Sequence, residues 1–362
     1  FPGSGHRVSM AGVFAAPGAA LAALFVPFET ARLTRPADGR VLFLRARADV
    51  RLREWAQPGW LCEQSFLPFA GELSRHGLRV GEPAVDERFA LVLVLPPRQR
   101  DEARALFARA LQHAAPDGVV LAAMANAEGA KSGETDLQKL AGPVQQLSKH
   151  KCRVFWATRD EAAIDPALLQ PWLALDAPRE IAGGYVSRPG LFAWDRVDRA
   201  SALLAEHLPA DLHGRVADLG AGYGYLACQL IARCPRVDAI DLYEAEARAL
   251  EPARVNLARA QRDAGRELAV NVHWHDVTRG LPERYDAIVS NPPFHQGRAD
   301  LPELGRAFIT SAADALVPHG RLLLVANRHL PYEAHLGQRF EIVRTLATQD
   351  GFKVIEATGV RA

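Results

Sequence analysis

Val216-Ala217-Asp218-Leu219-Gly220-Ala221-Gly222-Tyr223-Gly224 is the stretch on which the reading of this chain turns. Apolar residues around a single carboxylate read as a buried strand. Three alternating glycines then let the backbone turn tightly and approach a ligand closely. The following Tyr225–Arg233 carries a helical pattern, and its start offers free backbone N–H groups. Outward from this unit, the C-terminal half alternates strand and helix. The strands read as Val216–Leu219, Ala239–Tyr243, Val270–Trp274, Ala287–Ser290, Arg321–Val325 and Phe352–Glu356. Helical patterns such as Ala247–Arg262 lie between them. That alternation predicts an α/β fold with a mostly parallel sheet, helices on both faces and a ligand site at the C-terminal strand ends.

The N-terminal half repeats the apolar scaffold. Arg88–Arg98 (RFALVLVLPPR) matches Arg284–Phe294 (RYDAIVSNPPF) without a gap, at an offset of 196 (284 − 88). Pro116-Asp117-Gly118 precedes an apolar run as Pro318-His319-Gly320 does, and Gly39-Arg40-Val41 opens a strand as Gly214-Arg215-Val216 does, at an offset of 175 (214 − 39). Shared order of three segments predicts two similar units in tandem. Residues 1–180 and 181–362 are the expected domains, because Pro178, Gly183 and Gly184 break local structure near the join. Asp218 answers to Phe43, Gly220 to Arg45, Gly222 to Arg47 and Asn291 to Leu95. The N-terminal copy therefore reads as a scaffold that has lost its chemistry.

Bulk composition bounds little else. The chain has 362 residues, 49% hydrophobic and 23% charged, with formal net charge +1. A near-neutral chain can still bind phosphates through a local patch. Arg45, Arg47, Arg51 and Arg53 form one basic run, and Lys149, Lys151 and Arg153 another. Cys62, Cys152, Cys228 and Cys234 show neither a C-x-x-C pair nor a zinc-like spacing, so free thiols and no metal are expected. Ala11–Val26 is apolar, but Pro17, Gly18 and Pro27 interrupt it, so no membrane span is expected.

A dinucleotide site requires G-x-G-x-x-G, and here Tyr225 stands where the last glycine would be. The G-x-G-x-G spacing led by Asp218 resembles motif I of class I methyltransferases, which use S-adenosylmethionine. Asp218, Gly220, Gly222 and Gly224 are then cofactor-binding candidates, with Asp218 ordering the turn or holding a cationic amine. Glu244 follows the second strand and can accept both ribose hydroxyls of an adenosine, with Asp241 as the alternative. In such enzymes the partner of the adenine amine follows the third strand, where this chain has Asp276.

Ser290-Asn291-Pro292-Pro293-Phe294-His295 closes the fourth strand. An exocyclic amine on a base has its lone pair delocalised into the ring. Two acceptors gripping its N–H bonds turn that lone pair outward. The Asn291 side-chain oxygen and the Pro292 carbonyl suit that task. Proline cannot donate there and stiffens the turn. Phe294 offers a face on which a splayed base can stack. No strong general base is needed, so catalysis is mostly orientation and desolvation. Asn291, Pro292 and Phe294 are the catalytic candidates, and Asn291 also borders the cofactor.

With these residues the chain resembles the bacterial ribosomal RNA guanine-N2 methyltransferases. Ser290–Gly297 (SNPPFHQG) carries the resemblance most closely. Arg188–Phe192 and Asp195–Ser201 match the family's lead-in loop over the cofactor, which adds Phe192 to the cofactor-binding candidates. Ala200 stands where the family usually has glycine. Asn327-Arg328-His329 leans toward the large-subunit (23S) enzymes, whereas Leu330-Pro331-Tyr332 and Lys149–Arg153 lean toward the small-subunit (16S) type. The resemblance implies two tandem class I (Rossmann-like) domains with seven-stranded sheets, the N-terminal copy degenerate. Strands one and four would be neighbours in a 3-2-1-4-5 order. It also implies a cytoplasmic, monomeric enzyme that methylates guanine N2 in ribosomal RNA, within the small subunit. The N-terminal domain would position RNA or support its partner. Alternatives are a 23S enzyme, an adenine-N6 or glutamine-N5 methyltransferase, and a non-catalytic RNA-binding protein. His295, Arg328 and His329 are further candidate substrate contacts; Tyr223 and Tyr225 either touch cofactor or pack, and Trp194 reads as packing.

Overall fold

The computed structural model describes residues 18–293, 295–296, 299–300 and 302–361. The chain forms two compact units, Ala15–Ala177 and Pro178–Ala362. In the C-terminal unit a short hairpin, β7 (Arg179–Glu180) and β8 (Val186–Ser187), precedes the main sheet. That sheet is built from β9 (His213–Leu219), β10 (Arg236–Glu244), β11 (Ala269–Trp274), β12 (Tyr285–Ser290), β15 (Leu316–Asn327), β16 (Phe340–Gln349) and β17 (Phe352–Val360). A second hairpin, β13 (His295–Gln296) with β14 (Ala299–Asp300), follows β12. The sheet order is β11-β10-β9-β12-β15-β17-β16, which is 3-2-1-4-5-7-6 by strand rank. All neighbours up to β15 are parallel, and β17 is antiparallel to both β15 and β16. The expected strands are all present. Strand β16 was not foreseen, because most of its side chains are exposed and no apolar run marks it.

The expected helix Tyr225–Arg233 forms between those bounds. It buries Leu226, Leu230 and Ile231 in the same cluster as Val216, Ile240 and Val289 of the sheet. Each such side chain contributes about 1.5–3 kcal/mol on burial. The helix Leu250–Ala264 ends on Gly265, whose φ of 60° lets the Gly265 and Arg266 N–H groups reach back to Arg262 and Gln261.

The N-terminal unit repeats this plan with β1 (Val41–Leu44), β2 (Trp60–Glu63), β3 (Phe89–Val94), β4 (Ala114–Ala125), β5 (Gln145–Lys149) and β6 (Cys152–Thr158), ordered β2-β1-β3-β4-β6-β5. The duplication holds to the residue. Leu44 pairs with Val94 as Leu219 pairs with Ser290, at the offsets of 175 and 196 read from the sequence. Strands β4 and β15 share a length of 12 residues and an identical succession of buried and exposed positions.

One expectation is corrected. Among the described residues the N-terminal sheet has six strands, not seven. At the place of the third strand only Val80 forms a bridge, to Cys62. Gly81 and Pro83 follow at once, and proline has no N–H to extend a ladder.

Candidate active site

The site is assembled at the C-terminal ends of β9, β10 and β12. Strand β9 delivers Asp218 and then the glycine turn, whose Gly220 and Ala221 N–H groups both donate to the Tyr243 carbonyl. Gly220 has φ of 70°, and a Cβ there would stand 3.3 Å from Phe308 Cε1. Gly224, the last residue before the helix, has φ of 84° and faces Leu242 and Ala253. It is a packing glycine, and it does not line the cleft where a cofactor binding role was expected.

Asp218 is buried. Its Oδ2 accepts from the Ala227 N–H at 3.1 Å, while its Oδ1 has no partner. Desolvation pushes its pKa up to about 7, opposed by the Ala227 hydrogen bond and reinforced by nearby Glu244. Buried polar atoms are almost always paired, so an orphaned carboxylate oxygen in a cleft wall calls for a donor from the ligand. A cationic amine answers that need. The donor set thus fits the amino-acid end of S-adenosylmethionine.

Glu244 braces the same turn. Its Oε2 accepts from the Gly222 N–H at 2.7 Å and its Oε1 from the Glu246 N–H at 2.8 Å. Burial raises its pKa, and those two amides oppose the shift. The alternative, Asp241, is committed elsewhere: it is fully buried and bonded to Arg215, Asn271 and His273. Asp276 caps a short turn, its Oδ1 accepting from the Thr278 N–H and hydroxyl.

Strand β12 sets Asn291 against this turn. Ser290 pairs with Leu219, and its hydroxyl donates to the Leu219 carbonyl at 2.8 Å. Asn291 therefore follows its strand beside Gly220. Its side-chain Nδ2 donates to Asp198 Oδ2 at 2.9 Å and to Ser201 Oγ at 2.8 Å. Asp198 caps the helix Arg199–Glu206 through the Ser201 N–H. One cleft brings together Phe192, Asp198, Ser201, Asp218, Gly220, Gly222 and Asn291. Phe192 lines the cleft and is 72% exposed. Glu244, Asp276 and Pro292 stand outside the lining of this cleft, and Glu244 acts on it through Gly222.

Phe294 lies outside the described residues. Arg328 and His329 are exposed beyond β15. Tyr223 and Tyr225 line the cleft and also pack, Tyr223 donating to the Arg196 carbonyl. Trp194 receives the Arg179 guanidinium at 5.3 Å. Asp198 and Ser201 were legible only as part of a lead-in loop, since their tie to Asn291 spans 93 and 90 positions.

In the N-terminal unit arginines stand at the places of the first two glycines. Arg45 lies 3.8 Å from Glu102, and Arg47 lies 3.5 Å over the Phe69 ring. Arg51 donates to the Ala22 carbonyl, which leaves Arg53 as the exposed member of that basic run. Gln64 stands at Glu244's place and keeps the same local bond, its Oε1 accepting from the Phe66 N–H at 2.9 Å. The copy is therefore less stripped than its sequence suggests, having kept one polar brace. All four cysteines are free and buried. Among the described residues no cluster of His, Cys, Asp or Glu could hold a metal, and no helix is long and apolar enough to cross a membrane.

Residues 183–356 match the model of the methyltransferase small domain family. The chain is 30% identical to the ribosomal RNA small subunit methyltransferase C of Shewanella baltica, over 77% of this chain and 79% of that one. It is 33% identical to the protein of the same name from Pseudomonas paraeruginosa, over 74% and 79% respectively. Its fold is that of a T. thermophilus 16S rRNA N2 methyltransferase solved with AdoMet and guanosine, with TM-score 0.72, 24% identity and coverage of 91% and 90%. With its cleft, its relatives and its fold in agreement, the chain belongs to the ribosomal RNA small subunit methyltransferase C family.

Proposed function

We propose that this chain methylates the exocyclic N2 amine of a guanine in 16S ribosomal RNA, using S-adenosylmethionine. One observation carries the reading: the pairing of Ser290 with Leu219 sets Asn291 beside Gly220, in one cleft with the orphaned oxygen of Asp218. When bound, the cofactor supplies an electrophilic methyl group on a sulfonium. Asp218 holds the cationic amine, and Glu244 serves the ribose while bracing Gly222. Asn291 Oδ1 and the Pro292 carbonyl accept from the amine of the base, which turns its lone pair outward. Phe192 closes over the cofactor, Phe294 stacks on the base, and Asp276 holds the adenine amine. The names of the relatives supply the small-subunit RNA as substrate.

The same reading makes the protein a cytoplasmic monomer that meets its RNA within the small subunit. Residues 1–180 then serve RNA positioning or support, because Phe43, Arg45 and Arg47 occupy the places of the cofactor residues. Methyl transfer to undermethylated small subunits, with identification of the methylated nucleoside, tests the proposal.

A further inference from the structure

Asn291 is anchored by its amide nitrogen. That nitrogen donates to the Asp198 carboxylate and the Ser201 hydroxyl, and Asp198 is itself fixed as the cap of the helix Arg199–Glu206. An ionised carboxylate can only accept, so the amide nitrogen must face it. The amide oxygen is thereby directed the other way, and all three residues line the same cleft. A freely turning amide would offer its nitrogen to the acceptor amine half of the time, presenting a donor to a donor.

The N-terminal copy supplies an internal control. Its helix Ala19–Leu24 packs on β4 and β6, as Arg199–Glu206 packs on β15 and β17. Its cap is Gly18, with no side-chain bond, where the active copy has Asp198. Three positions on stands Leu21 in place of Ser201, and Leu95 replaces Asn291. Leu95 packs against the apolar cluster that holds Leu21. The helix survived the loss of chemistry, but its polar trio did not. A cap kept for helix stability alone would have no reason to vanish with the asparagine.

We infer that Asp198 and Ser201 are positioning residues that lock the Asn291 carbonyl toward the acceptor amine. The inference rests on the proposed role of Asn291 in gripping that amine. Ser201→Ala removes one acceptor within the helix, and Asp198→Asn keeps a good cap while removing the acceptor-only character. Ser201→Ala should lower kcat about tenfold, the loss of one well-placed hydrogen bond, and Asp198→Asn should lower it less, because its amide oxygen can still accept. The dissociation constant of S-adenosylmethionine and the KM for RNA should stay within about twofold. In an Asn291→Ala background, adding Ser201→Ala should cost nothing further, since it acts only through the missing amide. An unchanged kcat in both single variants, or losses that multiply in the double variant, would overturn the inference. A second readout needs no acceptor. The Asn291 side-chain amide resonance, identified by its absence in Asn291→Ala, should exchange its protons slowly in the parent protein. Exchange should quicken about tenfold in Ser201→Ala; equal rates would overturn the inference. If the parent protein fails to methylate ribosomal RNA, the proposed function falls, and the exchange rates alone decide this one.

Discussion

Arg45 and Gly220 hold the same left-handed turn in two copies of one fold, with φ of 54° and 70°, at positions 175 apart (220 − 45). In the active copy glycine adopts that conformation without strain, and Phe308 leaves little room for a Cβ. In the other copy the turn outlived its glycine, at a cost of roughly 1–2 kcal/mol for an L-residue. The backbone of the motif is shared by the two copies, while its side chains differ.

Arg45→Gly should therefore stabilise the chain by about 0.5–1 kcal/mol. Relief of strain exceeds the entropy of the new glycine and the long, 3.8 Å pairing between the partly exposed Arg45 and the buried Glu102. Gly220→Ala should destabilise by about 1–2 kcal/mol and weaken cofactor binding. Denaturant midpoints check both. A lower midpoint for Arg45→Gly contradicts the assignment of strain.

Asn291→Ala should reduce turnover by about a hundredfold to a thousandfold, the scale seen when a preorganised polar group is removed from an active site. Cofactor affinity should remain nearly intact, because Asp218, Glu244 and Phe192 are untouched. Single-turnover kinetics beside calorimetry separate the two, and full turnover in the variant would remove the orienting role.

Asp218 gives a pH signature of definite sign. Its pKa in the folded protein is raised from 3.8 to about 7, chiefly by burial. Its contribution to stability is fully present below 3.8 and is lost as pH rises toward about 7. Cofactor affinity should move oppositely, because the ionised carboxylate is what holds a cationic amine. Affinity should increase as pH approaches about 7, with proton release on binding, and Asp218→Asn should flatten both profiles. Calorimetry in buffers of different ionisation enthalpy reads the proton, and a pH-independent affinity would sink the assignment.

The sequence made much of this legible because period and punctuation are local. Apolar runs ending in glycine or Pro-Pro marked β9 and β12, and fixed offsets exposed the duplication down to the register of β1 on β3. What stayed hidden is non-local or polar. Strand β16 carries exposed residues on both faces, so nothing periodic announces it. The third strand of the N-terminal sheet reads as apolar through Leu78 and Val80 until Gly81 and Pro83 stop it. Gln64 escaped notice because amide for carboxylate looks like loss, whereas the local bond persists. The bond from Asn291 to Asp198 joins a loop to a strand end across 93 positions.

Glu244→Ala should weaken S-adenosylmethionine binding at least tenfold, since it removes both a ribose acceptor and the brace on Gly222. Glu244→Gln should weaken it less, because Gln64 shows that an amide can keep the bond to the amide two residues on. Equal losses in the two variants would mean that the charge, not the brace, dominates.

Arg53, Lys149 and Lys151 are the exposed cations of the two basic runs in the N-terminal unit. If this unit positions RNA, reversing them should reduce the slope of log affinity against log salt by about 1 per lost phosphate contact. An unchanged slope assigns the unit to support.

Whether Asn291 orients a guanine amine of 16S RNA is decided by transfer of tritiated methyl groups from S-adenosylmethionine to undermethylated 30S subunits, followed by nucleoside analysis. Label is expected in N2-methylguanosine of 16S RNA with the parent protein, with near-complete loss in Asn291→Ala. Label in methyladenosine or in protein, or none in N2-methylguanosine, would contradict that expectation.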